Sequence, residues 1–213
     1  KDPKSHIHKE GHTNRPLLKI INNPHFLIAV LAGAVGYGVM SFIMTATPVH
    51  LHTISHHSFD ETAFVIQSHV IAMFLPSLIT GVLIERFGVF KVMTAGIFSF
   101  FLTIIIGTQA LTIPVYWLEL VLLGVGWNFL FISATVLLAK SYTGTERFKA
   151  QGVNDLMVIL TQLTATFLAG KFLFSIGWVQ LHYLTIPVIF ITLFILIFNR
   201  KNLVITPNKT PSK

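Results

Sequence analysis

The stretch "GVLIERFGVFK", Gly81 to Lys91, separates two long apolar segments and places three charged residues in one short turn. Charged residues make up only 11% of the chain, whereas a typical soluble domain carries about 25%. A charged turn between two segments of about 20 apolar residues is typical of a connection at a membrane surface. The stretch therefore predicts membrane-spanning helices that are joined here at one face of the bilayer.

Six apolar segments have the length that a membrane-spanning helix requires. Hydrophobic residues make up 53% of the 213-residue chain. No segment shows the alternation of a membrane β-strand, and none carries the wide polar face of a helix in a soluble bundle. The sequence predicts an all-α membrane protein with six transmembrane helices: Phe26–Thr47, Ala63–Ile84, Val89–Ile106, Ile113–Leu138, Val153–Phe174 and Tyr183–Phe198.

Positive charge lies almost entirely on one side of this arrangement. Of the 15 lysine and arginine residues, Lys171 alone falls towards the other side. Because cytoplasmic connections are enriched in these residues, both termini are predicted to lie in the cytoplasm and the protein in the cell membrane. We divide the chain into a cytoplasmic linker (1–22), a transmembrane bundle (23–199) and a cytoplasmic tail (200–213). The net charge of +7 then reflects orientation in the lipid bilayer, and no nucleic-acid partner is expected.

Histidines form two groups outside the predicted helices. One group lies in the linker and the other in the outer loop "HLHTISHH"; the members are His6, His8, His12, His50, His52, His56 and His57. Imidazoles at this density can bind transition metals, but no spacing here matches a closed tetrahedral site. We therefore interpret the loop as polar and predict no metal site. The chain has no cysteine, which excludes a disulfide scaffold.

Motifs of enzymes and of nucleotide-driven pumps are absent from the sequence. It contains no G-x-S-x-G, no H-E-x-x-H and no G-x-x-x-x-G-K-[ST]. We therefore predict that the chain is not an enzyme and that it needs no cofactor. Coupling to protons is the expected energy source for any transport.

Polar residues inside the fourth predicted span are candidates for a substrate or proton pathway. Glu119, Gly126 and Ser133 recur every seven residues and so share a helix face, and Asn128 lies on an adjoining face. Ionisable groups within a membrane are costly, so each is a functional hypothesis. Glu119 carries a coupling proton in one interpretation, and in the other it reaches water at the interface beside aromatic residues.

The second predicted span carries a histidine and a proline on one face. His69, Met73, Pro76 and Thr80 share this face. His69 either titrates near neutral pH or hydrogen-bonds to a neighbouring helix. Pro76 is expected to bend the helix and to free a backbone carbonyl.

The fifth span carries a polar stripe of Gly152, Asp155, Gln162 and Thr166. Asp155 is either a helix cap or a gating or proton-transfer residue, and Gln162 is a pathway candidate. In the first span, Tyr37 is expected to line a cavity. The glycines there predict close helix packing; they are Gly33, Gly36 and Gly38.

The pattern Gly81-x-x-x-Glu85-Arg86-x-Gly88, followed by Lys91, resembles the signature of the major facilitator superfamily. In that family a G-x-x-x-D-R-x-G-R-[KR] loop joins the second and third helices of each six-helix half. The resemblance implies a gating motif in which Arg86 pairs with a carboxylate and Glu85 faces a helix N-terminus. The alternative is a solvated loop whose charges only set the orientation of the protein in the membrane. Glutamate replaces aspartate here, and the basic pair after Gly88 is missing, which is similar to the degenerate second copy of the motif.

Other stretches carry the same resemblance, such as "VIQSHVIAMFLPSLITG" (65–81), "LLGVGWNFLFISATVLL" (122–138) and "ERFKAQGVND" (146–155). They resemble bacterial permeases of unassigned substrate. The resemblance implies a C-terminal half made of two inverted three-helix repeats, with a missing N-terminal half and a small-molecule substrate as partners. "GVLIERFG" (81–88) and "GKFLFSIG" (170–177) would then occupy corresponding positions. The expected function is alternating-access transport; the alternative is a self-contained six-helix channel or a truncated, non-transporting protein.

Overall fold

The computed structural model describes residues 15–203, apart from the side chain of Asn202. Within these residues the regular structure is entirely helical. The α-helices are α1 (Leu17–Ile21), α2 (Pro24–Val49), α3 (Phe59–Phe74), α4 (Ser77–Phe87), α5 (Val89–Gly107), α6 (Ile113–Ala139), α7 (Arg147–Ile176) and α8 (Trp178–Phe198). Short π-helical and 3₁₀ turns follow or precede them at His50–Ile54, Gly144–Glu146 and Arg200–Leu203.

Five helices, or six if one bent pair counts as a single span, are long and apolar enough to cross a membrane, which agrees with the predicted all-α membrane fold. Among the described residues, α2, α5, α6, α7 and α8 are each long and apolar enough to cross alone. The pair α3 and α4, with a bend of 40° between them, passes the same test of length and composition when taken together as one span. The helices extend beyond the predicted segments: α7 begins at Arg147 and not Val153, and α8 begins at Trp178 and not Tyr183. Hydropathy marks the part of a helix inside the hydrocarbon, whereas helical hydrogen bonding continues into polar ends.

Local sequence signals set several helix boundaries. The Asn23 side chain accepts a hydrogen bond from the His25 amide at 2.9 Å, and Pro24 occupies the first position of α2, where no donor is needed. Ser58 and Glu61 form a reciprocal capping box at the start of α3. The break after Phe74 coincides with Pro76, which has no amide hydrogen. The bend predicted at Pro76 is confirmed.

Helices α2 and α6 lie at the centre of the bundle. Helix α2 packs against α6, α7 and α8, and α6 also packs against α3 and α5. Glycine permits these close approaches: a Cβ on Gly96 of α5 would lie 2.9 Å from the Gly126 carbonyl oxygen of α6. A Cβ on Gly38 of α2 would lie 2.9 Å from Thr161 Cγ2 of α7, which confirms the close packing predicted there.

Two glycines in corresponding positions of the proposed repeats have the same backbone conformation. Gly88 has φ 86° and Gly177 has φ 88°, values in the region that favours glycine. Each amide donates to a carbonyl four residues earlier, Ile84 at 2.9 Å and Leu173 at 3.1 Å. Each glycine also directly precedes the next helix. The two turns are therefore equivalent in structure, as an internal repeat requires.

The bundle has two ends of different composition, which we name for their side chains. The basic end is where α4 meets α5 and α6 meets α7, and the histidine end is where α2 meets α3, α5 meets α6 and α7 meets α8. Of the lysines and arginines in the described part of the chain, Lys171 alone lies towards the histidine end. At the basic end, part of the predicted linker is helical, and Ile20 of α1 is fully buried.

Candidate functional site

A buried histidine–glutamate pair joins α8 to α6 near the histidine end. His182 Nε2 lies 2.8 Å from Glu119 Oε1, and both side chains are completely buried. His182 Nδ1 lies 3.0 Å from the Trp178 carbonyl oxygen, which can only accept, so Nδ1 carries a hydrogen. The bond to Glu119 then needs one further proton, which resides on either the imidazole or the carboxyl group. The pair is therefore a buried hydrogen bond between two helices that requires a proton on one of its two members.

Glycine and aromatic groups build the surroundings of this pair. A Cβ on Gly107, the last residue of α5, would clash with His182 Nε2 and would lie 2.8 Å from Glu119 Cδ. The Trp178 indole donates to the Gly107 carbonyl at 2.7 Å. The His50 ring stacks on Trp178 at a centroid distance of 4.2 Å. Three helices and the turn after α2 thus enclose the pair.

Of the two interpretations of Glu119, the structure does not show the interfacial one. Glu119 is fully buried, and its Oε2 has no hydrogen-bond partner among the described residues. The residues that share its face, Gly126 and Ser133, are also buried, and Gly126 packs on α5. The sequence reasoning missed His182 because it began the last span one residue later. One signal in the sequence could have identified it, because His182 is a polar residue about one helical turn after Trp178 in an otherwise apolar segment.

Asn128 of α6 forms hydrogen bonds with residues on both sides of the break between α3 and α4. Its Nδ2 donates to the Met73 carbonyl at 2.7 Å and lies 2.6 Å from Ser77 Oγ. Its Oδ1 accepts from the Thr80 hydroxyl at 2.7 Å. Asn128 therefore satisfies a backbone carbonyl that the proline break leaves free. This residue holds a bent helix in place.

His69 also joins α3 to α6. Its Nδ1 lies 2.7 Å from the Leu120 carbonyl oxygen, which makes Nδ1 the donor. This is the hydrogen bond to a neighbouring helix that one of the two interpretations expected. Its Nε2 is buried and has no partner in the described part of the chain.

The polar stripe of α7 lies on a surface that this chain leaves largely open. Asp155 and Thr166 are exposed, Gln162 is partly exposed, and nothing lies within 4 Å of a Cβ built on Gly152. Asn154 Nδ2 donates to Asp155 Oδ1 at 3.1 Å. Asp155 lies in the third turn of α7 and so does not cap it, because the helix begins at Arg147. The capping interpretation of Asp155 is wrong.

Tyr37 packs among aromatic rings from α6. It meets Trp127 and Phe131 edge-on, each with centroids 5.1 Å apart. Its side chain is partly exposed.

The turn that resembles a gating motif is exposed. Glu85, Arg86 and Lys91 all face outward, and no ion pair joins them to another described residue. Gly81 has no atom within 4 Å of a built Cβ, so the close approach expected there is not made within residues 15–203. Gly88 is required by its positive φ. The gating role of these residues stays a prediction.

At the basic end a bidentate ion pair fixes the segment before α1. Arg15 Nε and Nη2 donate to Glu146 Oε1 and Oε2 at 2.7 and 2.6 Å. Arg15 Nη2 also donates to the Ser141 carbonyl at 3.2 Å. The hydrogen bond with Glu146 raises the pKa of the Arg15 guanidinium, which keeps its charge fixed. Sequence reasoning did not find this pair, because its members are 131 residues apart.

The histidines of the outer loop have separate partners. His50 Nδ1 lies 2.8 Å from the Tyr116 hydroxyl, and His52 Nδ1 lies 3.0 Å from the His57 carbonyl oxygen. Within residues 15–203, no group of three or more histidine and carboxylate side chains is arranged to hold a metal ion. The histidines of the linker, His6, His8 and His12, lie outside the described residues.

Comparison with known proteins adds a family and several relatives. The model of the Major Facilitator Superfamily matches residues 26–212. The riboflavin transporter RfnT of Brucella anthropi is 41% identical over 202 residues, which cover 94% of this chain and 49% of that protein. The uncharacterized MFS-type transporter YddS of Bacillus subtilis is 36% identical over 71% of this chain and 36% of its own length. The chain thus spans half or less of the length of these two relatives.

Proposed function

Because the chain belongs to the major facilitator superfamily, we propose that it supplies one six-helix half of a membrane transporter that works by alternating access. The observation that carries this proposal is the 41% identity with a transporter over 94% of the chain. Transporters of this superfamily contain two six-helix halves that rock against each other around a site near the bilayer midplane. The second half would come from an N-terminal segment of similar size.

The exposed surface of α7 supports a partner half. In the most apolar part of α2, 72% of the residues are buried, whereas the corresponding value for α7 is 17%. A surface that faced lipid alone would be apolar, but this one carries Asp155, Gln162 and Thr166. We propose that the stripe faces the other half or the cavity between the halves. The turn at Glu85 and Arg86 would then meet the other half at the cytoplasmic side, which we assign to the basic end.

Riboflavin is the first substrate to test, because the relative RfnT is named as a riboflavin transporter. The assignment of riboflavin to this chain is part of the proposal. Transport would be coupled to protons, with Glu119 as the carrier and His182 as its partner. This role is supported by the hydrogen bond between Glu119 and His182 across two helices and by the unpaired Oε2 of Glu119. The other titratable groups around the pair are His50 and Tyr116, from the turn after α2 and from α6.

The experiment is riboflavin uptake into cells or proteoliposomes that contain the complete transporter, with and without an imposed proton gradient. Uptake that rises with the gradient supports both parts of the proposal. In Glu119→Gln, riboflavin exchange without a gradient should persist while gradient-driven accumulation is lost. Thr94→Val is the control, since Thr94 lies on α5, away from the exposed surface of α7, and its hydroxyl donates to the Phe90 carbonyl within its own helix. If Glu119→Gln accumulates riboflavin at the unmodified level, Glu119 is not the proton carrier. If the unmodified transporter moves no riboflavin, riboflavin is not the substrate.

A further inference from the structure

An apolar groove opens between α2, α7 and α8, which we call the α7–α8 groove. Helices α7 and α8 both pack on α2, whereas their contact with each other is small. The space left between them has a volume of about 410 Å³, and its walls include Val35 and Phe42 of α2, Leu160 and Leu168 of α7, and Leu184 and Val188 of α8. Leu160 is 50% exposed and Leu184 is 43% exposed, so the groove is open at the surface of the bundle.

The polar groups that line the groove already have partners. Three threonines, Thr161, Thr164 and Thr185, contribute hydroxyl groups to its walls. Each hydroxyl donates to a backbone carbonyl of its own helix, at distances of 2.9, 2.8 and 2.7 Å. A polar solute would lose its hydrogen bonds to water here and find no free donor in exchange, whereas an alkyl chain needs none. The lining therefore suits an alkyl chain.

The groove lies on the face of α7 opposite to the polar stripe. Successive residues of an α-helix are about 100° apart, so Gln162 and Thr166 of the stripe each lie about 160° from Thr164 of the groove. The stripe is the surface that we assign to the other half of the transporter. The opposite face of α7, with the groove, is then left to the lipid bilayer.

A lysine without a partner follows the groove towards the histidine end. Lys171 comes seven residues after Thr164, which places both on one face of α7. It is exposed, and no ion pair joins it to another residue in the range 15–203. From Arg147 at the basic end to Lys171 the helix rises about 36 Å, more than the roughly 30 Å of the hydrocarbon core. The ammonium group therefore reaches the headgroup layer at the histidine end.

An exposed amide from α8 lies near the same end of the groove. Gln180 precedes Leu184 of the groove by four residues, about one helical turn, and so continues its wall towards the histidine end. Orientation in the membrane explains the lysines and arginines of the basic end, but it gives no reason for Lys171. A cation and an amide donor beside an alkyl-lined groove match a molecule that joins an anionic headgroup to a hydrocarbon chain.

We infer that the α7–α8 groove binds one acyl chain of an anionic phospholipid, whose phosphate pairs with Lys171 and accepts from Gln180. The lipid belongs to the leaflet at the histidine end. Its chain would fill the space between α7 and α8, where the two helices make little contact with each other. This site lies outside the surface assigned to the other half, so it goes beyond the proposed transport of riboflavin.

The test uses the complete transporter in phosphatidylcholine nanodiscs that contain a small amount of a photoreactive lipid. The two probes are phosphatidylglycerol and phosphatidylcholine, each with a diazirine in one acyl chain, and mass spectrometry of the labelled peptides locates the chain. Residues 157–168 and 184–188 should be labelled about fivefold more by the phosphatidylglycerol probe, which is the effect of one cation at a membrane surface.

Three variants assign this preference to the proposed contacts. Lys171→Gln should lower labelling by phosphatidylglycerol to the level of phosphatidylcholine. Lys149→Gln is the matched control, because it removes one exposed lysine from the other end of α7, and it should keep the fivefold preference. Thr164→Phe fills the groove from an exposed position and retains Lys171, so it should lower labelling by both probes.

Several outcomes would overturn the inference. Equal labelling of the groove by the two probes in the unmodified protein would show ordinary contact with the bilayer and no selective site. A preference that persists in Lys171→Gln would remove the assigned ion pair, and absence of labelling in the groove would remove the acyl chain. If added inorganic phosphate abolishes the preference, the ligand is a free anion and not a lipid. Failure of riboflavin transport would alter none of these results, because the labelling is measured without transport.

Discussion

His182 of α8 and Glu119 of α6 share a hydrogen bond of 2.8 Å in a position that no water reaches. The pair connects the first and third helices of the second three-helix repeat. Because each group is buried, each depends on the other: removing His182 leaves the Glu119 side chain without a hydrogen bond, and removing Glu119 leaves His182 Nε2 unpaired, in a low-dielectric interior. The same pair that could carry a proton therefore also holds the histidine end of the bundle together.

A double-mutant cycle should show this dependence. Glu119→Ala and His182→Ala should each lower the melting temperature of the purified protein, and the double variant should lose less than the sum. We expect a coupling energy of about 1–3 kcal/mol, as found for residues in contact. A cycle of Glu119→Ala with Thr164→Ala is the control and should be additive, since no contact joins these residues. Additivity in the first cycle would contradict the pairing.

Gly107 should be intolerant of even a methyl group. Gly107→Ala places a Cβ against His182 Nε2 and within 2.8 Å of Glu119 Cδ. Overpacking of this kind costs about 1–3 kcal/mol. Gly170→Ala is the matched control, because nothing lies within 4 Å of its built Cβ and alanine favours a helix by about 0.5–1 kcal/mol. In thermal unfolding, Gly107→Ala should melt clearly below Gly170→Ala. Equal melting temperatures would contradict the close packing at Gly107.

Asn128 should be needed for the bent helix to stay attached to α6. Asn128→Leu removes the donor to the Met73 carbonyl, whereas the Thr80 hydroxyl keeps the Pro76 carbonyl as an acceptor at 2.8 Å. A buried carbonyl left unpaired costs about 1–3 kcal/mol, so the variant should melt below the unmodified protein. Hydrogen exchange should also rise in residues 73–80, on either side of the break. Thr135→Val, at an exposed site whose hydroxyl bonds within its own helix, should change neither measurement.

The lengths of the apolar segments and the positions of proline and glycine predicted most of the fold. The side-chain pairs that join distant helices could not be predicted from the sequence. The break at Pro76 and the turn at Gly88 follow from local chemistry, because one residue lacks a donor and the other adopts a positive φ. The partners of Glu119 and of Arg15 depend on how helices distant in sequence pack. His182 is an isolated histidine in an apolar helix, and only the contact with α6 distinguishes it from a residue that faces lipid. The exposure of the α7 stripe is likewise a property of packing, and hydropathy does not report it.

The two equivalent turns should respond equally to substitution. Gly88→Ala and Gly177→Ala each force a residue with a Cβ into positive φ, at a cost of about 1–2 kcal/mol. We expect similar decreases in melting temperature for the two variants. Gly81→Ala is the control, since it lies in α4 with open space around its Cβ. A lower melting temperature in only one of the two variants would contradict the equivalence of the turns and weaken the case for an internal repeat.

Arg15 should anchor the chain before α2 to the basic end. Arg15→Ala removes a bidentate pair with Glu146, whose side chain is 2% exposed, and leaves that carboxylate without its cation. Arg15→Lys should restore only part of the lost stability, because an ammonium group cannot make two parallel hydrogen bonds to one carboxylate. Lys149→Ala, at an exposed position of the basic end that leaves Lys19 in place, is the control and should be neutral. The measurements are the melting temperature and the rate of trypsin cleavage after Lys19, which should rise in Arg15→Ala and less in Arg15→Lys. Cleavage at the unmodified rate in Arg15→Ala would show that packing of Ile20 alone holds this segment.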